Sequence, residues 1–322
     1  GDPPPATLRH TRDPRRSPSR LMTTSTPHGG DPSQLAPGTI FTLLAATGFA
    51  AVSILTSVAT ASGLSLAALL AWRYLIAAVV LTGYVGSRNY KRIPPREMMQ
   101  FVTIGGFGQA LLVYLALSSL QFIPVATLAF LFYTYPSWVA LVQSVRGAER
   151  LDGKRAAALA LSFAGIVTMV GLPGAETVDW RGVALALSAA MVYGAYIPVM
   201  RVLQRDHPVA PTSAYSKIGA ALAFLVLSVS DRSFNWQIAP DIWGVVFALA
   251  ILSTVLPSVF FLMGLIRLGP VRTAIVSTVE PFLTALLGVV VRGQALTLPT
   301  LAGGALIIAA VLLLQFKRDR VA

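Results

Sequence analysis

Apolar residues occur along the chain in ten long blocks, separated by short polar connections. A helix needs about 20 mostly apolar residues to cross the hydrocarbon of a bilayer, and each block approaches that length. The pattern therefore predicts an all-α polytopic membrane protein with ten transmembrane helices. The predicted segments are residues 38–59, 65–85, 98–118, 124–144, 155–172, 181–200, 211–229, 241–264, 270–291 and 298–316.

The two ends of the chain lack such blocks. Residues 1–37 are rich in Pro, Arg, Ser and Gly, a composition that cannot bury a core. We expect them to form a disordered cytoplasmic tail. Residues 317–322 are predicted to be a short basic C-terminus, also cytoplasmic.

The composition fits a protein in a lipid bilayer, and the placement of its basic residues accounts for the net charge of +12. Hydrophobic residues make up 55% of the chain and charged residues only 12%, far fewer than in soluble domains. Most Lys and Arg lie in the tails and in alternate connections, and the intervening connections hold only Arg181, Arg232 and Arg292. Because positive loops stay in the cytoplasm, beside anionic headgroups, both termini should be cytoplasmic in an inner (plasma) membrane. No nucleic-acid partner is required.

The two halves of the chain repeat each other. Residues 38–172 and 181–316 each hold five predicted segments, and an odd number turns the second copy upside down. Inverted five-helix repeats are typical of secondary transporters, which place their site near the membrane midplane. The matching pairs are PVAT (124–127) with PVRT (270–273), Pro136 with Pro281, Arg73 with Lys217, and RGAERL (146–151) with VRGQAL (291–296).

These motifs resemble the EamA-type transporters of the drug/metabolite transporter superfamily. The resemblance covers residues 38–316 and rests on Arg73-Tyr74, on YPSWVALVQSVRGAERL in the first half and on LGPVRTAIVSTVEPFLTALLG in the second. It implies a ten-helix bundle with a central cavity between the halves, moving amino acids or other small metabolites, often outward. Gln294 departs from the Glu that the family usually has in its second GE motif.

Pro136 and Pro281 lie inside apolar segments at matched positions. Proline removes a backbone hydrogen bond, so each helix should kink or break there. Interrupted helices at equivalent positions of two repeats indicate a binding site or a hinge. The alternative is that both prolines only shape helix packing.

Glu280 is the only acidic residue deep inside a predicted segment. Small polar residues recur along its helix face, so this face should line the interior. An intramembrane carboxylate is functional by default, which makes Glu280 a candidate for proton coupling or substrate contact. Two alternatives stay open: a fixed pair with Arg73 or Lys217, or a cap of the half-helix that begins at Pro281.

Arg73 and Lys217 place one cation within each half. They are candidates to attract a substrate carboxylate. The alternative is that Lys217 reaches the headgroups and Arg73 binds carbonyls freed by a broken helix.

Further candidates for contact with a small organic ligand are aromatic and amide side chains. Interfacial anchoring is the alternative for each aromatic residue, because membrane interfaces also enrich Trp and Tyr. The candidates are Gln109, Tyr135, Trp138, Tyr193 and Tyr196.

The residue types exclude most catalytic sites. The chain has no Cys and three His, and with one deep carboxylate it assembles neither a triad nor an acid/base pair. We predict no enzyme activity, no metal site and no cofactor.

The function that these patterns favour is secondary active transport of small organic metabolites, most sharply the export of amino acids by alternating access, with protons as a candidate coupling ion. A gradient-independent facilitator and a non-transporting sensor or scaffold are the alternatives. We expect a monomer or a weak homodimer.

Overall fold

The computed structural model describes residue 1 and residues 32–123, 125–149, 151–170, 179–235, 237–292 and 297–315. All regular elements in these ranges are helical. They are α1 (Pro32–Ala61), α2 (Leu66–Gly86), α3 (Pro95–Gln100), a π-helical segment (Phe101–Phe107), α4 (Gly108–Ser119), α5 (Val125–Phe132), α6 (Tyr135–Val145), α7 (Gly153–Val170), α8 (Trp180–Leu203), α9 (Val209–Ser230), α10 (Pro240–Ala250), a second π-helical segment (Ile251–Val255), α11 (Leu256–Leu268), α12 (Pro270–Ser277), α13 (Glu280–Arg292) and α14 (Leu298–Gln315).

These elements join into ten rods at the positions predicted from the apolar blocks. Eight rods in the described ranges are long and apolar enough to cross a membrane, and Leu298–Leu314 is a shorter apolar helix. The remaining rod is α7, the fifth along the chain. Its first turn contains Lys154 and Arg155, and it packs along α14. The predicted all-α class is confirmed.

The start of α1 corrects one predicted boundary. The helix begins at Pro32, inside the stretch that composition assigned to a disordered tail. Proline is well tolerated in the first turn of a helix, where its missing N–H is not needed. Composition alone therefore placed the end of the tail too late. Residues 2–31 and 316–322 lie outside the described ranges, and so does Gln294.

Helix contacts between the halves follow the pseudo-symmetry of the repeats. The first rod packs on α11 and α13, and its counterpart α8 packs on α4 and α6. The second rod packs on α9, and α7 packs on α14, each contacting its own counterpart. Two five-helix repeats thus form one bundle.

The third rod of each half contains a π-helical segment, a wider turn that is often found at functional sites. In the first half, Gly106 of this segment touches Gly219 of α9 so closely that an added Cβ would meet backbone. The motif GGFG is therefore a helix-packing surface. In the second half, the carbonyl of Ser253 and the hydroxyl of Thr254 face α2, where they accept hydrogen bonds from Arg73.

Both predicted helix interruptions are present. The fourth rod breaks between Phe132 and Tyr135, and the ninth breaks between Ser277 and Glu280, each with proline as the second residue of the new helix. A threonine hydroxyl in each break donates to a carbonyl three residues earlier, over 2.7 Å and 2.6 Å. Each of these carbonyls also accepts the backbone N–H of the same threonine, so the break is a tight turn with bonds between residues three apart.

Candidate functional site

A cavity of about 280 Å³ lies between the two halves. Its walls come from α1, α2, α4, α8, α9 and α11, and the helix breaks contribute Phe132 and Glu280. It reaches toward Thr56, Leu66 and Leu117, near the ends of the helices that face away from the connections rich in Lys and Arg. We call the face with those connections the basic side.

The bundle is packed tightly between the cavity and the basic side. Phe101, Met200, Leu265, Leu268 and Val271 are buried there in one apolar cluster. The cavity in this conformation begins at Met200 and Ser213, about one turn inside the basic ends of α8 and α9, and runs toward the opposite side.

Six of the eight candidate contact residues line the cavity. They are Glu280, Arg73, Gln109, Tyr193, Tyr196 and Lys217. Two do not line it. Tyr135 is buried and donates to the carbonyl of Ala274 over 3.2 Å, and Trp138 packs against Gly194 of α8. Both hold helices together.

Glu280 opens α13, directly before Pro281. Its carboxylate is hydrogen-bonded by the phenol of Tyr133, which lies in the break of the other interrupted helix. Among the described residues it forms no ion pair with Arg73 or Lys217. The fixed ion pair considered from the sequence is therefore wrong, and the carboxylate remains available on the cavity wall.

Lys217 is only 3% exposed, so it does not reach the headgroups. Its ammonium donates to Oε1 of Gln109 over 2.7 Å and lies 5.6 Å from the centre of the Tyr74 ring. A lysine ammonium has more donors than this one bond uses. Its free N–H groups adjoin the cavity.

Arg73 is held by the second π-helical segment. Its Nε donates to the hydroxyl of Thr254 over 2.5 Å and its Nη2 to the carbonyl of Ser253 over 3.0 Å. The guanidinium lies 5.4 Å from the Tyr74 ring centre. Arg73 thus binds a carbonyl of an irregular helix, while part of its fork still faces the cavity.

A group of neighbouring aromatic rings lies at the cavity. Tyr193 lies 4.6 Å from Tyr135, 6.4 Å from Tyr196 and 6.5 Å from Phe261, measured between ring centres. The hydroxyl of Tyr196 donates to Gly105 O of the first π-helical segment over 3.0 Å. Tyr193, Tyr196 and Phe261 make one wall of the cavity aromatic, and Tyr135 supports it from behind.

Sequence reasoning missed three important residues. The ring of Tyr74 lies beside the cations of Arg73 and Lys217, and Ser253 and Thr254 accept hydrogen bonds from Arg73. Tyr74 directly follows Arg73, so proximity in sequence was a usable signal. The partners on the π-helical segment come from the other half of the chain, and no local pattern points to them.

A second charged cluster lies on the basic side, outside the cavity. Glu149 pairs with Arg155 over 3.4 Å and accepts a hydrogen bond from Gln143. It also lies beside Gly269, where α12 of the other half begins. Burial raises the pKa of the Glu149 carboxyl, and the nearby Arg155 opposes that shift only in part.

Known proteins place this bundle in a family. The model of the EamA-like transporter family matches the chain twice, at residues 36–171 and 180–316. The chain belongs to this family. The two matches correspond to the two five-helix repeats of the bundle.

Individual relatives of this EamA-like protein are transporters by name. The threonine/homoserine exporter RhtA of Escherichia coli (strain K12) is 32% identical over 216 residues, which cover 65% of this chain and 68% of the relative. An uncharacterized transporter of Archaeoglobus fulgidus is 27% identical over 198 residues, 61% of this chain and 69% of the relative.

A crystal structure of a protein with 20% sequence identity superposes with a TM-score of 0.75, covering 87% of this chain and 96% of the other. This likeness concerns the fold alone. The family and the apolar rods make the chain a multi-pass membrane protein of a transporter family, with a small molecule as the cargo.

Proposed function

We propose that this protein is a secondary transporter that exports amino acids across the inner membrane by alternating access. The observation that carries the proposal is the cavity between two inverted repeats, with Glu280 and Lys217 on its walls and neither neutralised by an ion pair among the described residues. An unpaired charge inside a bilayer is costly, and it is retained where it binds a substrate or an ion.

The direction of the cavity assigns this conformation a place in the transport cycle. By the positive-inside rule the basic side is cytoplasmic, so the cavity reaches toward the outer face. In alternating access, this conformation would follow release of the substrate. The named exporter among the relatives supports an amino acid as the cargo.

The broken helices support a hinge at Pro136 and Pro281. In each break, bonds between residues three apart replace α-helical ones. The bonding there is weaker than in a regular helix, so torsion changes reorient a half-helix at low cost. Because α6 packs against α12, movement in one break is transmitted to the other.

Glu280 is the candidate for coupling to a proton gradient. Its carboxylate lies beside the cavity, and Tyr133 donates to it from the opposite break. Taking up a proton would change this contact between the two moving halves.

Export by cells that express the full chain tests the proposal. Cells preloaded with a mixture of amino acids should release at least one of them faster than cells with an empty vector. In vesicles with an imposed proton gradient, Glu280→Gln should abolish gradient-driven accumulation and preserve exchange. Glu97→Gln is the matched control, because Glu97 lies in the first turn of α3 on the basic side.

Unchanged gradient-driven flux in Glu280→Gln would refute the coupling role of Glu280. Flux that does not respond to the gradient in the unaltered protein would show a gradient-independent facilitator. A folded protein that moves no amino acid of the mixture would refute amino-acid export.

A further inference from the structure

One end of the cavity concentrates positive charge inside the bundle. Arg73 and Lys217 are 6% and 3% exposed, both line the cavity, and no carboxylate pairs with either among the described residues. Bringing such a cation to the membrane centre is costly. An anionic group on the ligand would offset this cost.

The ring of Tyr74 holds the two cations near each other. It lies 5.4 Å from the guanidinium carbon of Arg73 and 5.6 Å from the ammonium of Lys217. An aromatic face attracts cations and lowers the cost of placing them together. Both side chains therefore have spare donors beside one ring on the cavity wall, and such donors can bind a carboxylate.

Two serine hydroxyls next to this end have no partner. Ser213 and Ser258 line the cavity, and their buried hydroxyls make no hydrogen bond within the described part of the chain. Ser213 precedes Lys217 by one helical turn and so shares its face of α9. A buried hydroxyl without a partner is unfavourable, so these groups point to a second polar group on the ligand.

The remaining walls are apolar and aromatic. They include Phe49, Leu70, Leu112, Val113, Phe132 and Phe261. A small hydroxylated side chain would leave this surface without contact, whereas a large apolar side chain would bury it.

We propose that the cavity selects amino acids with large apolar side chains, binding the carboxylate between Lys217 and Arg73. The ammonium group of the ligand donates to Ser213 and Ser258, and its side chain lies against Phe49 and Phe261. This assignment rests on the proposed amino-acid transport. It differs from the threonine and homoserine named for the relative in Escherichia coli.

Competition in counterflow tests the choice of side chain. The full chain is reconstituted into liposomes loaded with unlabelled leucine, and uptake of labelled leucine is measured against external competitors. Phenylalanine and leucine should compete at least tenfold more strongly than threonine and homoserine. A parallel assay uses labelled threonine and liposomes loaded with unlabelled threonine. Threonine exchange that phenylalanine and leucine do not inhibit would overturn this inference and leave amino-acid transport intact.

The carboxylate contact is tested on the ligand as well as on the protein. Phenylalaninamide has the same ring and ammonium but no carboxylate, so it should compete at least tenfold more weakly than phenylalanine with the unaltered protein. Equal competition by the two would overturn the assignment to Lys217 and Arg73, and this arm requires no variant to fold.

Substitutions then locate the contact. Lys217→Met should weaken competition by phenylalanine and leave competition by phenylalaninamide unchanged. Lys217→Arg should restore most of the preference for phenylalanine over its amide. Lys91→Met, on an exposed lysine of the basic side, is the matched control. A preference unchanged in a folded Lys217→Met protein would contradict the proposal, and thermal unfolding in detergent shows that the variant is folded.

Discussion

The ammonium of Lys217 lies 2.7 Å from Oε1 of Gln109, and this bond has a counterpart in the other half. The shift along the chain that superposes Pro136 on Pro281 also superposes Gln109 on Thr254, the residue that accepts from Arg73. Each half therefore inserts one cation toward the third rod of the other. The pair with Gln109 adjoins the cavity, whereas Thr254 is buried and does not line it.

The bond between Arg73 and Thr254 should stabilise the bundle. Thr254→Val removes a hydroxyl that accepts from a charged donor over 2.5 Å, so the free energy of unfolding should fall by about 1.5–3 kcal/mol. Unfolding in detergent with added denaturant measures it. Ser162→Ala is the control, since the buried Ser162 hydroxyl has no hydrogen-bond partner in the described ranges. Equal effects of the two changes would contradict a special role for Arg73.

The break at Pro281 should limit stability and permit movement. In Pro281→Ala the new backbone N–H can complete the missing turn, and the helix regains up to about 3 kcal/mol. We expect a higher melting temperature and slower counterflow. Pro198→Ala is the matched control, because Pro198 lies within the continuous helix α8. Faster counterflow in Pro281→Ala would argue against a hinge at this position.

The contact between α7 and α14 depends on two glycines. A Cβ added at Gly165 would lie 2.7 Å from the carbonyl oxygen of Gly303. Gly165→Ala should therefore lower the free energy of unfolding by about 1–3 kcal/mol. Gly83→Ala provides the comparison, because nothing lies within 4 Å of a Cβ added there. A stable Gly165→Ala protein would mean that the two helices separate without cost.

Glu149 should make stability depend on pH. Its pKa is raised in the folded protein by burial, so protonation is easier in the folded than in the unfolded state. The stability it contributes is present below its unfolded pKa of about 4.3 and is lost as pH rises through the folded pKa. Glu149→Gln should remove this loss. The melting temperature of the variant, relative to that of the unaltered protein, should therefore increase as pH rises.

Melting curves over the acidic and neutral range check this expectation. Glu97→Gln is the control, as Glu97 is far more exposed than Glu149. Parallel curves for Glu149→Gln and the unaltered protein would contradict a buried, titrating Glu149.

The regular parts of the fold followed from the sequence because a bilayer imposes a simple rule. Each helix must supply an apolar stretch of fixed length, and proline interrupts it wherever it falls, so the breaks before Pro136 and Pro281 were predictable. The π-helical segments were not predicted. They depend on close contact with a distant helix, as at Gly106 and Gly219, which no local pattern reveals.

The site was predictable in its charges and less so in its partners. Glu280 and Lys217 stood out because ions are rare in apolar segments. The orientation of aromatic residues was harder to predict, since Tyr135 and Tyr193 have similar surroundings in sequence. Only Tyr193 lines the cavity, because Tyr135 binds the carbonyl of Ala274 across the two broken helices.

The place that Glu280 occupies in the second half is taken by Tyr135 in the first. Two identical halves that exchanged shapes would produce inward-facing and outward-facing states of equal free energy. An acid on one half and a phenol on the other are one difference that removes that degeneracy. In the proposed proton-coupled cycle, the proton concentration on each side would set how far the balance shifts. A repeat pair that differs in a titratable group would thus give the proposed cycle a preferred resting orientation, which two identical repeats could not have.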